Sequence, residues 1–482
     1  MKRNAINRYT LGFLLIAGVA LTSCDNELAE INANPNASEN PQPAYLLSAA
    51  QYYGANLYQN GTTGYNSTLL WVQHWAKIQY TEPDRYDVTN SSFDDTWNTT
   101  YAYTLADLKS IGESEAATDN EKAVAKVWSA WNYLLLTELF GDVPYTQFAT
   151  TTTPSYDSQE TILNGILKDL EEAAANLATS NTAINGDGIY GGDKTKWSKF
   201  AQSLRLRIAL IIADRDEAKA KSIIKSLASN PSSLISSNDD NATFVFDSSN
   251  SSYWNPWGSA FYSRDDQRVS KTLVDKLTEL NDPRLQIFAQ PAEETGLYAG
   301  GQNGLTADAA NNQGFSKLSK PGKRFLEYDA PAVFFTYSEV LFVLAEAAAR
   351  GFIDASAADY YEKAVTASLK QHGVSDAEIP VYLSQSAVAY NAAPWYVQIG
   401  TQKWISLYGQ APDAYTDWRR LGYPELTPGP NTALAPGETP RRFFYPSTES
   451  GQNQSSYRAA VASQGADLLT TRLWFDVATK KR

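Results

Sequence analysis

Apolar positions recur at helical spacing along much of this chain, with one long interruption. The segment 44–58, rich in Ala, Leu and Tyr, predicts a helix. Residues 59–100 break the pattern: Gly61 and Gly64 precede Trp71, His74, Trp75, Tyr80, Tyr86 and Trp97 among Asn, Thr and Ser, predicting a short helix plus irregular loop. Thr118 with Glu121 three residues on makes a capping box. Val124, Val127, Trp128, Trp131 and Leu135 then form one stripe, until Gly141 and Pro144 stop it. The next helix opens at Asp157, with Glu160 three residues on, and carries Ile162, Leu163, Ile166, Leu167, Leu170 and Leu177. Two more are predicted over 197–213 and 216–229. Regularity fades over 230–335, and an irregular stretch of that length points to function rather than filler. It returns with Thr336 and Glu339, a second capping box, in helices predicted over 336–351, 355–371, 395–408 and 412–421. Helices joined by short turns lie antiparallel, so an all-α fold of stacked helical hairpins with long irregular inserts is expected. No single pair carries the full consensus of a tetratricopeptide repeat.

The N-terminus follows a different rule. Lys2, Arg3 and Arg8 form a basic head before the uncharged apolar run 11–21, and small residues lead to Cys24. That is the layout of a secretory signal, and the run is shorter than the ~20 apolar residues needed to cross a bilayer. Cys24, directly after Leu21-Thr22-Ser23, resembles the lipobox of a bacterial lipoprotein, in which the cysteine is acylated and becomes the mature N-terminus. The alternative is an ordinary signal peptide with an incidental cysteine. Asp25, Asn26 and Glu27 resemble the surface-export signal of Bacteroidetes lipoproteins. Residues 25–43, polar with three prolines, read as a tether.

Composition removes several function classes. The chain has 40 basic and 53 acidic residues, net −13. Without the three basic residues of 1–23 the remainder stands at −16, which argues against nucleic acid. Its one cysteine allows no internal disulfide and, once acylated, no thiol nucleophile or cysteine-based zinc site. Two histidines, His74 and His372, exclude a His-rich metal centre. Asp187 and Asp193 in the loop 185–193 lack the acidic spacing of an EF-hand, so a plain turn is preferred over a Ca2+ site. No metal or cofactor is expected. Glu339 and Glu346 share a helix face, but Glu339 already serves as a capping residue. Arg205, Arg207, Arg419 and Arg420 read as scaffold salt bridges.

Several stretches together resemble the SusD/RagB family of outer-membrane nutrient-binding lipoproteins. They begin at Trp197 (WSKFAQSLRLR), Asn281 (NDPRL), Thr336 (TYSEVLFVLAEA), Gln402 (QKWISLYGQ), Tyr415 (YTDWRRLGYP) and Arg472 (RLWFD), and with Cys24 they span nearly the whole mature chain. The resemblance implies a signal peptide over 1–23, a lipidated tether over 24–43 and a single SusD-like glycan-binding domain over 44–482. Four tetratricopeptide-like helix pairs would form its scaffold, with the inserts carrying the ligand site. It implies a partner, a TonB-dependent transporter of the SusC type, and no catalytic residues. Capture of peptides is the runner-up. A lipid-anchored glycoside hydrolase would need two carboxylates about 5–5.5 or 6.5–9.5 Å apart, and no motif proposes such a pair.

The chain is rich in rings: 12 Trp, 29 Tyr and 18 Phe. Trp and Tyr suit partly apolar faces such as sugar rings, though most aromatics in a large helical protein are packing. In 251–264, Tyr253, Trp254, Trp257, Phe261 and Tyr262 interleave with Asn255, Ser259 and Arg264, and Pro256 restricts the backbone. Tyr253, Trp254, Trp257, Tyr262 and Arg264 are therefore the central ligand candidates, with Tyr298, Trp75 and Tyr80 completing an arc. For Trp71 and Trp75 the competing reading is helix core at i, i+4.

Overall fold

Helix starts are set by side chains that accept the first free N–H groups. Thr118 Oγ1 accepts from Glu121 N at 3.1 Å and Glu121 Oε2 from Thr118 N at 2.9 Å, closing the expected box. In the computed structural model, which describes residues 41–478, the scaffold comprises α1 (Pro43–Gln59), α2 (Ala106–Glu113), α3 (Asp119–Phe140), α4 (Gln159–Thr179), α5 (Lys194–Ile211) and α6 (Glu217–Ala228). It continues after the long insert with α9 (Tyr337–Ala349), α10 (Ala357–Gln371), α11 (Trp395–Ser406) and α12 (Ala411–Leu421). From Pro43 onward the described chain is one compact unit. Cys24, the signal read over 1–23 and the tether read over 24–43 as far as residue 40 lie outside the described residues, and the last tether position, Pro43, already begins α1. Among the described residues no helix is long and apolar enough to cross a membrane.

Two starts differ from expectation. α4 is capped by Ser158, not Asp157, because the Asp157 carboxylate accepts from Tyr145 N (3.1 Å) and Thr146 N (2.8 Å) and fixes the preceding turn. Thr336 caps α9, but Glu339 does not close the box; its carboxylate turns inward to Arg207. α3 ends where Gly141 takes φ +89°, a conformation that L side chains rarely adopt.

Sequential helices pack against each other: α3 on α4, α4 on α5, α9 on α10 and α11 on α12. One continuous core runs through them. At its centre Trp128 and Trp131 stack at 4.5 Å and 1°, and Phe334 meets both edge-on at 4.9 and 5.0 Å. The expected scaffold ion pairs lie inside it. Arg207 bridges Glu339 (2.6 Å) and Asp413 (2.9 Å), and Arg420 bridges Glu346 (2.6 Å) and Asp417 (2.8 Å). Glu339 and Glu346 are thus each clasped by a guanidinium. Arg205 reaches Glu171 at the rim, while Arg419 donates to the carbonyls of Glu138 (2.7 Å) and Arg441 (2.8 Å).

The insert is better tied than its sequence predicts. β1 (Trp75–Lys77) pairs antiparallel with β3 (Gln267–Val269), and β2 (Ala242–Phe244) with β4 (Ala332–Phe335), through a bulge at Ala242/Thr243. Between β2 and β3 lies α7 (Pro256–Ser263), and after β3 comes α8 (Lys271–Glu279). The 185–193 loop is a turn built on Asp187, whose carboxylate accepts from Ile189 N, Gly192 N, Gln51 Nε2 and Trp197 Nε1 at 2.7–3.0 Å. Asp193 caps α5.

Candidate ligand-binding site

Within the aromatic segment 251–264, Pro256–Ser263 forms the short helix α7, and Tyr253 and Trp254 lie in the turn before it. Asn255 Oδ1 accepts from Trp257 N (2.8 Å) and Gly258 N (3.3 Å), and Pro256 occupies the first helical position, where its missing N–H is no loss. One face of α7 points inward. Trp257 is 2 % exposed, tilts against Trp75 at 4.7 Å, and donates from Nε1 to Gln59 O at 3.0 Å. Phe261, one turn on, meets Trp75 edge-on at 5.7 Å. Trp75 is fully buried and donates to Tyr408 Oη at 2.9 Å. Trp75 and Trp257 are therefore corrected from ligand-facing candidates to core. Their indoles are enclosed and their N–H groups already satisfied, so they form the pedestal under the site. Trp71 is likewise core, but Trp75 lies on β1, not one helical turn after it.

The opposite side carries exposed rings. Trp254, half-buried, stacks on Tyr328 at 3.7 Å and 4°, and Tyr262, 73 % exposed, stands edge-on to Trp254 at 5.5 Å. Trp254 Nε1 donates to Ser248 O at 3.0 Å, which fixes the ring. Gly258 lets the 326–328 backbone close on α7: a Cβ there would lie 2.8 Å from Leu326 O and 3.1 Å from the Tyr328 ring. Tyr253, 46 % exposed, leans on Tyr52 of α1 at 5.0 Å. The result is a rigid ledge of Tyr253, Trp254, Tyr262 and Tyr328.

At the far end of α7, Arg264 donates to Tyr80 Oη at 2.7 Å with its guanidinium 4.2 Å over the Tyr80 ring. Tyr80, 52 % exposed, takes φ +49°. This pair edges a cleft of about 590 Å³ that is also lined by Tyr65, Lys77 and Asp266. Burial pushes the Lys77 ammonium down, opposed by Asp266 at 3.7 Å and by Asp84. Burial likewise raises the Asp84 carboxyl to about 6, against hydrogen bonds from Asn303 and Lys77 N. Tyr298 packs half-buried against the core on the Gly-rich loop and is not one of the ledge rings. His74 and His372 are interior and desolvated, with His74 lowered to about 3. Among the described residues no group of acidic, His or Cys side chains could hold a metal ion.

Tyr328 went unread in the sequence because it lies outside the 251–264 cluster and meets Trp254 only through the fold. The orientation of α7 was more accessible. Trp257 and Phe261, at i, i+4, share one face, and Gly258 and Tyr262 the other.

Residues 35–446 match the family described as starch-binding and associating with the outer membrane, under the heading SusD-like. The chain belongs to the SusD-like family. This SusD-like chain also superposes on a solved chitin-binding protein with a TM-score of 0.82 at 30 % identity, over 90 % of this chain and 100 % of that one. A chitin-binding SusD homologue from Flavobacterium johnsoniae gives 0.83 at 21 % identity, over 91 % and 100 %. A SusD homologue from Bacteroides uniformis gives 0.80 at 25 %, over 90 % and 99 %. No curated protein matches by sequence. The mainly helical SusD-like fold expected from the sequence is the fold observed.

Proposed function

We propose that this SusD-like protein is a lipid-anchored binding protein of the outer membrane, probing the exterior for a neutral oligo- or polysaccharide. It captures the chain on the α7 ledge and delivers it to a SusC-like TonB-dependent transporter without chemical change. The observation that carries the reading is the ledge itself. Exposed rings, fixed by stacking and by an indole hydrogen bond, offer apolar faces to pyranose rings, while Arg264, Tyr80 and the Tyr262 hydroxyl supply polar rims. Because the rings are already ordered, little entropy is lost on binding. The relative that shares 30 % identity over its full length is named as a chitin-binding protein, which favours a chitin-type chain. The acidic balance agrees with a neutral polymer.

Affinity electrophoresis through gels containing a panel of polysaccharides, run beside a reducing-sugar assay, tests this reading. Retardation by a neutral glycan without new reducing ends is expected; new reducing ends would make the protein a hydrolase, and no retardation would favour peptides.

Acyl chains on Cys24, worth ~0.8 kcal/mol per buried CH2, would hold the body at the membrane without a spanning helix. Cys24→Ala is expected to move the protein from the membrane to the soluble fraction. Its persistence in the membrane fraction would contradict the anchor.

A further inference from the structure

A second cleft, of about 480 Å³, lies on the other side of Tyr253, between α1 and the chain leaving β2. Its walls are Tyr52 and Tyr53 of α1, then Phe244, Val245 and Tyr253. The rings are linked in sequence. Tyr103 stacks on Tyr53 at 5.1 Å and 30°, Tyr53 meets Tyr52 at 5.6 Å, and Tyr52 stands edge-on to Tyr253 at 5.0 Å. Tyr103 and Val245 are 52 % and 62 % exposed. Tyr52 Oη donates to Ser252 O at 2.7 Å, so α1 also anchors the segment that carries the ledge.

The charge pattern of these walls separates the occupants. In a chain with 19 % charged residues, 43–76, which includes all of α1, contains no Asp, Glu, Lys or Arg, and 241–263 contains Asp247 alone. The Asp247 carboxylate accepts from Ser249 N and Oγ at 2.8 and 2.6 Å and so shapes its own turn. A solvent-facing scaffold helix ordinarily shows charge on its outer side. Here the outer side presents tyrosine, a flat apolar ring with a hydroxyl at its tip. Asp247 is the one charge that lines the cleft, so a polyanion would find no cation there and a cationic peptide a single carboxylate already engaged by Ser249. A neutral polyhydroxylated chain finds both ring faces and hydroxyl partners.

We propose that the Tyr52–Tyr53–Tyr253 cleft is a second saccharide subsite, which takes the continuation of a chain whose other end rests on the Trp254 ledge. The proposal rests on the reading of the ledge as a glycan platform. Tyr253 is the shared wall: its neighbour Trp254 faces Tyr328 and Tyr262, while Tyr253 itself faces α1. A chain long enough to occupy both platforms gains the second contact at high effective concentration, so affinity depends on chain length.

The test is calorimetric titration of the purified protein with short and long neutral β-linked N-acetylglucosamine oligomers. Two substitutions act in the second cleft without touching the ledge. Tyr53→Ala removes a ring, and Val245→Arg places a bulky cation at an exposed rim position. Each is expected to weaken the long oligomer by about tenfold while leaving the short one unchanged; Trp254→Ala, in contrast, weakens both. Long-oligomer affinity unchanged in both cleft variants would overturn the proposal. So would unchanged affinity combined with loss of transporter co-purification, which would make the cleft a protein contact. If the wild-type protein binds neither oligomer, the chitin-type reading of the ledge fails and this subsite, as proposed for that chain, fails with it.

Discussion

Trp257→Ala is expected to lower the stability of the folded protein by about 3–5 kcal/mol, the usual range for deleting a buried Trp. The indole fills the space between Trp75 and the insert, and its N–H satisfies the carbonyl of Gln59 at the end of α1. Its loss opens a cavity beneath α7 and removes a hydrogen bond that ties the insert to the scaffold. Trp254→Ala, three residues earlier, removes a half-exposed ring whose stacking partner, Tyr328, stays within reach of solvent, so its cost is expected to be below about 1.5 kcal/mol. Urea unfolding of the two variants side by side decides the assignment. Equal, small losses would contradict the placement of Trp257 in the core.

Arg207→Met is expected to be as damaging, by about 3–5 kcal/mol, for an electrostatic reason. The guanidinium joins four elements: it starts on α5, meets Glu339 on α9, Asp413 on α12 and the Phe334 carbonyl on β4. Tyr58 of α1 donates to the same Asp413 at 2.7 Å. Without Arg207, Glu339 and Asp413 are left as buried carboxylates with no guanidinium between them. The loss is expected to grow with pH. Burial, with the charge of Asp413 adding to it, already raises the nearby Glu138 carboxyl to about 8, and burial raises Asp413 too. A carboxyl raised in the fold contributes stability below its ordinary value and loses it as pH climbs through the folded value. Removing Arg207 pushes these groups further up, so the gap between variant and wild type should widen from about pH 5 to about pH 8. A constant or absent gap in unfolding experiments at the two pH values would contradict the account.

The scaffold was readable because helices announce themselves locally. The apolar stripe of α3 and α4 and the caps at Thr118 and Thr336 all depend on residues within one or two turns. What escaped depends on contacts across the chain. β1 and β3 are three residues each, too short to show alternation, and their pairing joins positions about two hundred residues apart. Asp157 looked like a cap because its real partners, Tyr145 and Thr146 N–H, lie in the preceding turn. In the candidate segment the sequence named the rings but not which of them the fold buries. In 251–264 every ring is a plausible sugar platform by type. Which are buried is decided by Trp75, Gln59 and Tyr408 on one side and by Tyr328 on the other. Sorting them also needed Gly258, whose missing side chain lets the Tyr328 segment dock.

The rings around Trp254 are where a neutral glycan is proposed to bind. The most direct measurement is titration of a neutral oligosaccharide into the wild-type protein and into the double variant Trp254→Ala, Tyr262→Ala, with thermal unfolding of both. Binding by the wild type, a loss of tenfold or more in the variant and a nearly unchanged melting temperature are predicted. Undiminished binding by a folded double variant would contradict the account and move the glycan site elsewhere on the molecule.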